Sequence, residues 1–334
     1  LTKETLAEAF NKKLVLHEKS LEDIKNFFDK IGKVMTPNNE KQAWLPEGCT
    51  VFTNEWGTAP ACGFECDGKH VIMLPGPPRE CEPIFKKYAM PFLYPLAGGC
   101  IKSHNVRMFG IGESAMETKL HDLMQYMENP TIAPYAKTSE CFVRITAKAE
   151  TEDEAEKMLE PVVEQVKQII GDDVYGVDVD SLEQVVGQLL IKNNMTLSVA
   201  ESCTGGLLSK RITDLAGASA YYMGGVCSYS NEVKMKVLGV KAETLEKYGA
   251  VSSQTAEEMA KGVAERLGTD VGVGITGIAG PDGGTDEKPV GLVYISVYIN
   301  GKHITRKTNN ANGRDRVRNH AASVALDIIR RELK

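Results

Sequence analysis

No stretch of this 334-residue chain is apolar for the roughly 18 residues that a transmembrane helix needs, so a membrane-spanning helix is excluded within it. No basic-then-apolar segment of the secretory kind opens it. Its cysteines, at 49, 62, 66, 81, 100, 141, 203 and 227, include no C-x-x-C pair. They read as the reduced thiols of a cytoplasmic protein, not as a zinc site or a disulfide framework. Positive charge is also short: 39 Lys and Arg against 45 Asp and Glu leave a net charge of −6. That is not the dense basic face on which nucleic-acid binding rests. There is no G-x-S-x-G elbow, no Ser-x-x-Lys pair, and no triad motif around any of the six histidines (17, 70, 104, 121, 303, 320). The familiar serine-hydrolase signatures are therefore missing. No internal repeat appears, which excludes a solenoid. An initiator Met is lacking too. The chain opens on Leu1 and runs straight into T-K-E-T-L-A-E-A-F, which reads as the interior of a domain with residues expected ahead of it.

What is present is ordinary globular composition, 42% apolar and 25% charged, at a length that suits two or three domains. In a first region, Leu1–Phe10 and Leu21–Ile31 have helical spacing, the second capped by Ser20 with Asp23 three residues on. Residues 37–63 read as loop, His70–Leu74 as a buried strand, and Arg79 onward as a helix started by proline. In a second region, Ser114 and Glu117 form a capping box, and Cys141–Ala149 alternates as a half-exposed strand. Thr151 and Glu154 cap a helix whose apolar face is Ala155, Met158, Leu159, Val162, Val166, Ile169 and Ile170, with Pro161 expected to kink or break it. This is a small α+β module, linked through Gly176–Asp180 to a third region. There Ser181 caps a helix, and Thr196–Ala200, Val226–Tyr229, Val271–Ile275 and Leu292–Ile299 read as strands. The helices read as Leu207–Leu215, Asn231–Leu238, Thr255–Leu267 and Arg314–Leu333. The alternation predicts a three-layer α/β domain with a largely parallel or mixed sheet.

Four motifs in that region bear on chemistry. Glu201-Ser-Cys-Thr-Gly-Gly206 lies where a strand passes into a helix, so Ser202 is a candidate nucleophile beside free main-chain donors. A helix cap with packing glycines reads equally well, and Cys203 is a rival nucleophile. With no histidine available, the base would be a lysine made neutral by burial. Lys234, in Tyr229-Ser-Asn-Glu-Val-Lys234, is the candidate, against the ordinary reading of a solvated helix lysine. Gly272-Val-Gly-Ile-Thr-Gly277 matches G-x-G-x-x-G literally. Two of its glycines fall inside a strand and Pro281 follows where a helix is needed, so a dinucleotide site is discounted. The stretch to Gly284 is better read as a glycine-rich loop for a phosphate or ribose, or as a plain turn. Arg314, Arg316 and Arg318 open the last helix, where cations are electrostatically misplaced unless an anion sits beside them; the alternative is a surface ion-pair cluster with Asp315.

Taken in order, Glu201–Gly206, Tyr229–Lys234, Gly277–Gly284, Lys288-Pro-Val-Gly291 and Gly313–Arg318 resemble the C-terminal domain of the CinA family (competence/damage-inducible protein A). That domain is similar to nicotinamide mononucleotide (NMN) deamidase, PncC. Lys41–Ala43, Pro46–Gly48, Gly57–Pro60 and Leu74–Glu80 resemble the MoaB/MogA-like, molybdopterin-binding-type domain that opens long CinA proteins. In some members it is a metal-dependent ADP-ribose pyrophosphatase. The middle region resembles the KH-like module between them, without the G-x-x-G clamp used for nucleic acid, since Gly110-Ile-Gly112 does not supply it. The family's front domain carries further βα units and a Gly-Gly-x-Gly-Pro-Thr-x-Asp-Asp loop ahead of the Leu-Thr-x-Glu-Thr with which this chain begins. The expected organisation is thus a partial MoaB/MogA-like domain at 1–97, a KH-like α+β module at 98–177 and the CinA C-terminal domain at 178–334.

The resemblance implies an amidase that turns NMN into nicotinic acid mononucleotide and ammonia. Ser202 would be the nucleophile and Lys234 the base, with Tyr229 hydrogen-bonded to one of the pair. Thr204, Gly205 and Gly206 would supply the oxyanion donors, and Asn231, Thr276, Gly277, Ala279, Gly280 and Arg314 would hold the nucleotide. It implies a cytoplasmic homodimer, no cofactor for the amidase, and a divalent metal only for the front domain with ADP-ribose. The alternative is a regulatory protein of competence or DNA damage that senses a nucleotide without turning it over.

Overall fold

Residues 181–334 alternate strands and helices, and in the computed structural model of the chain they build one mixed sheet between two helical layers. Residues 2–96, 98–136, 140–310 and 312–334 are described. The chain divides into two compact units, Leu1–Gly99 and Cys100–Lys334.

The first unit holds α1 (Thr2–Ala9), β1 (Leu14–Leu16), α2 (Glu18–Lys30), α3 (Pro37–Glu40), β2 (Trp44–Pro46), β3 (Thr50–Phe52), β4 (Ala61–Cys66), β5 (Lys69–Met73), α4 (Pro78–Ile84) and α5 (Met90–Leu93). Leu1, taken above as the start of the first helix, lies outside the described residues. β1 pairs with β2, and β3, β4 and β5 form a second antiparallel sheet. Three sequence expectations are corrected here. His17, not Ser20, caps α2: its Nδ1 accepts from the Ser20 N–H at 3.2 Å, and Ser20 lies buried in the first turn. Residues 37–63 are not all loop, because α3, β2 and β3 lie within them; at three or four residues each, they are too short for a period to show. The strand near His70 is half-buried rather than buried: Lys69 and His70 are exposed, Val71 and Ile72 partly covered, and only Met73 is buried.

The second unit begins with β6 (Cys100–Met108), α6 (Glu113–Tyr126), β7 (Thr131–Ala136), β8 (Cys141–Ala149), α7 (Glu152–Ile170) and β9 (Val174–Val177). The strands form an antiparallel sheet in the order β7-β8-β6-β9. The helices pack on it through Met116, Leu120, Leu159, Val162 and Val166. Gly112 rather than Ser114 caps α6, without a side-chain bond. Thr151 caps α7 as expected, accepting from Glu154 N–H. Pro161 does not break α7, which runs unbroken from Glu152 to Ile170. Burial of its apolar face outweighs the one hydrogen bond that proline removes. That face includes Val163, whereas Ile169 is exposed.

The rest of the unit is α8 (Leu182–Lys192), β10 (Leu197–Glu201), α9 (Leu207–Thr213), β11 (Tyr222–Cys227), α10 (Asn231–Leu238), α11 (Ala242–Tyr248), α12 (Ser253–Leu267), β12 (Val271–Gly277), β13 (Leu292–Ile299), β14 (Lys302–Asn309) and α13 (Arg314–Leu333). The sheet order is β11-β10-β12-β13-β14. β10 runs parallel to both β11 and β12, while β13 and β14 are antiparallel. Alternation along the strands divides the core. Leu197, Val199, Val271, Val273 and Ile275 pack with α8, α9 and α13, and Ala200 faces Met259 and Val263 of α12. The two strand glycines of the G-x-G-x-x-G match belong to this packing. A Cβ on Gly272 would stand 2.1 Å from the Ala260 carbonyl, and one on Gly274 would stand 2.2 Å from that of Ala256. They let α12 lie close on β12 and serve no dinucleotide.

α13 also carries a buried ionic knot. Asp327 is fully buried and accepts from Arg330 at 2.6 Å, Arg331 at 2.8 Å and Arg306 at 3.0 Å. Arg330 further donates to the carbonyls of Val174 and Asp172, tying the four-stranded module to this helix. Asp327→Ala would strand buried guanidinium charge. It is expected to destabilise the unit by about 3–5 kcal/mol, read from the midpoint of urea unfolding.

Candidate active site

β10, β11 and β12 end side by side, and ligands of open α/β sheets bind beyond the carboxyl ends of parallel strands. Three loops emerge there: Ser202–Gly206, Ser228–Ser230 and Ile278–Gly284. Each is pinned by main-chain bonds. The Ser202 N–H donates to the Ile275 carbonyl at 2.9 Å, and the Ser228 N–H to the Glu201 carbonyl at 2.8 Å. Ser230 then caps α10 by accepting from the Val233 N–H, which sets Lys234 one turn in and facing the sheet edge.

Lys234 is only 1% exposed. Its Nζ lies 3.1 Å from Ser202 Oγ, 2.7 Å from the Ser228 carbonyl and 3.3 Å from the Tyr229 carbonyl. Among the described residues no carboxylate pairs with it. Burial pushes its pKa below the usual lysine value, and only the Cys203 and Cys227 thiols act weakly against that. A buried amine with carbonyl acceptors and no counter-ion has the means to be neutral and to take a proton from the hydroxyl it touches. Cys203 is affected oppositely: burial pushes its thiol up to about 12, so it stays protonated and poorly nucleophilic.

Ser202 and Lys234 open into a cavity of about 280 Å³. Of the residues expected at the site, Tyr229, Asn231, Thr276, Gly277, Ala279, Gly280 and Arg314 also line it. Thr204, Gly205 and Gly206 do not. The N–H of Gly205 is engaged by the Ser202 carbonyl and that of Gly206 by the Glu201 carboxylate, so neither is free for an oxyanion. The Tyr229 phenol is exposed and bonds neither dyad member; its carbonyl does that work instead. Arg314 donates to the Gly280 carbonyl at 2.8 Å, and Arg318 to the Thr204 carbonyl at 2.6 Å. The arginines thus brace two of the loops, and the Arg318–Asp315 separation of 4.0 Å makes a poor ion pair. The sequence reading missed Ala250 and Val251 in the lining, and it missed Arg318 and Glu201 as supports. No sequence signal marked Glu201, because its burial appears only once the turn has folded over it.

A roomier cleft of about 470 Å³ elsewhere in the unit is lined by Glu140, Glu183 and Arg211, which are already paired with neighbours, and holds no nucleophile–base pair. In the first unit, no three His, Cys, Asp or Glu side chains among the described residues converge on a point. The described residues of this unit do not form a divalent-metal set.

Sequence comparison divides the chain into three domains. Residues 179–333 match the CinA C-terminal domain, residues 103–176 the damage-inducible protein CinA KH domain, and residues 1–95 a "Probable molybdopterin binding domain". A CinA-like protein of Dictyoglomus thermophilum is 52% identical over all of this chain and 81% of its own length. The chain belongs to the CinA family. A second CinA-like protein, from Kosmotoga olearia, is 50% identical with the same coverage. Among solved structures, competence/damage inducible protein CihA from Agrobacterium tumefaciens is 39% identical; the match covers 44% of this chain and 92% of that one at a TM-score of 0.42.

The lowered pKa of Lys234 in this CinA chain makes a stability prediction with a definite sign. Between the folded-state pKa and the ordinary value of 10.5, the unfolded lysine holds a proton that the folded one has lost. Folding stability therefore rises with pH across that window. The difference in unfolding free energy between wild type and Lys234→Met should climb through this window and be flat below it. Urea titrations at stepped pH measure the difference.

Proposed function

We propose that the C-terminal domain hydrolyses the carboxamide of nicotinamide mononucleotide, releasing ammonia and nicotinic acid mononucleotide. The observation that carries the reading is the buried, carboxylate-free Lys234 amine 3.1 Å from Ser202 Oγ at the edge of a nucleotide-sized cavity. Neutral Lys234 takes the Oγ proton as Ser202 attacks the amide carbon. Lys234 then hands that proton to the departing nitrogen, so the C–N bond breaks as ammonia forms and an ester to Ser202 remains. Water gives a proton to Lys234 and attacks the ester, and the proton returns to Ser202 as the acid leaves. With Gly205 and Gly206 occupied, the remaining turn donor bordering the cavity is the Cys203 main-chain N–H, and we assign the oxyanion to it. Arg314 at the start of α13 would receive the 5′-phosphate, and Thr276 to Gly280 would line the ribose. The positive pyridinium favours attack at its carboxamide and a neutral lysine beside it.

The test is ammonia release from NMN. Wild type should turn over, Ser202→Ala and Lys234→Ala should each lose about 10³-fold or more in kcat, and Cys203→Ala should keep most of the rate. NMN bound tightly with no turnover would sink this reading and leave a sensor. The rate should also rise with pH and level off once Lys234 is neutral, a plateau that begins below pH 10.5.

A further inference from the structure

We propose that Glu201 is a positioning residue for the dyad, holding both the nucleophile turn and the lysine loop in register. The inference rests on the dyad reading above and on observations separate from it. Glu201 is 1% exposed and meets no cation among the described residues. Its carboxylate is nonetheless fully used. Oε2 accepts from the N–H groups of Gly206 at 3.1 Å and Leu208 at 3.0 Å, and Oε1 from the N–H of Ser209 at 2.8 Å and its Oγ at 2.8 Å. A buried carboxylate without a counter-ion persists only when several donors satisfy it, and these four all lie on the segment that continues from Ser202.

The same residue reaches the other half of the pair through its backbone. Its carbonyl accepts from the Ser228 N–H at 2.8 Å, and the Ser228 carbonyl in turn accepts from Lys234 Nζ at 2.7 Å. Glu201 sits at the end of β10, paired with Cys227 of β11 on one side and Ile275 of β12 on the other. Side chain and main chain of one residue therefore set where Oγ stands and where Nζ stands. The carboxylate also closes off the Gly206 N–H, which leaves the Cys203 end of the turn to face the cavity. Glutamine has the right shape but one acceptor oxygen instead of two. Its amide nitrogen would face N–H donors, so the turn would shift while the sheet stayed intact.

The experiment compares wild type, Glu201→Gln and Ser209→Ala, with Ser202→Ala as the blank. Three readouts are used: kcat and KM for NMN, the rate of serine labelling by a fluorophosphonate, and the thermal midpoint. The labelling forms an Oγ–P bond and expels fluoride, so it reports an activated serine whatever the natural substrate. Glu201→Gln is expected to lower kcat and the labelling rate together by about 100-fold, with KM within about threefold, since misplacing a reacting group by about 1 Å costs that much. Ser209→Ala removes one of the four bonds, together with the bond that Ser209 Oγ accepts from the Tyr222 phenol, and should slow labelling by a smaller factor in a chain that still folds. It decides the matter if Glu201→Gln does not fold. Wild-type labelling rates in both variants, or a loss that appears only in KM, would overturn the proposal. So would a wild-type chain whose Ser202 is never labelled. If wild type labels normally but leaves NMN intact, the NMN reading fails and the labelling comparison still decides the role of Glu201.

Discussion

The burial of one lysine amine against three oxygens, none of them charged, is the constraint on which the rest of the site depends. Lys234 Nζ has two main-chain carbonyls and a hydroxyl for company. Burial there selects against the ammonium and lowers the lysine pKa from its usual value. That selection needs burial, and the fold provides it where three parallel strands come to a common end. The α10 helix that carries Lys234 is itself buried through Leu238 against Met259 and Val263 of α12. The base is therefore locked into the core of the domain and does not hang from its surface.

The loops around it are braced more by carbonyls and guanidinium groups than by ion pairs. Arg314 and Arg318 each spend a donor on a main-chain carbonyl, one at Gly280 and one at Thr204. Three polar atoms near this turn, Thr204 Oγ1, Ser228 Oγ and Arg318 Nε, are buried without a partner. Orphans of this kind cost stability and are common where function shapes a site. Their grouping beside Ser202 and Lys234 is consistent with a place built for reactivity first.

Much of the C-terminal domain was legible in the sequence because its elements are long and sharply bounded. Asn231–Leu238, Leu292–Ile299 and Arg314–Leu333 have the expected limits, since Ser230 caps the first, alternation marks the second, and Gly313 opens the third. β14, whose residues are mostly polar, gave no period to read; it exists because β13 offers it an edge. The first unit was read worst, because its strands are short and its α2 cap is a histidine, a residue whose capping role is not encoded in propensity. At the site, residue types and order pointed to Ser202, Lys234 and the glycine loop. They could not show which N–H groups were already spent. That depends on Glu201, whose carboxylate reads as an ordinary surface charge until the turn folds back over it.

The close seating of α12 on β12 has a consequence for how such sequences vary. Gly272 and Gly274 face the carbonyls of Ala260 and Ala256, and Ala264 flanks the first of them. A side chain on the strand would have to be matched by a displacement of the helix backbone, which no change of helix side chain can supply. These positions can therefore drift only as a coupled set, with strand and helix moving apart together. The glycines of this seam therefore speak for the seating of helix on strand and not for a nucleotide.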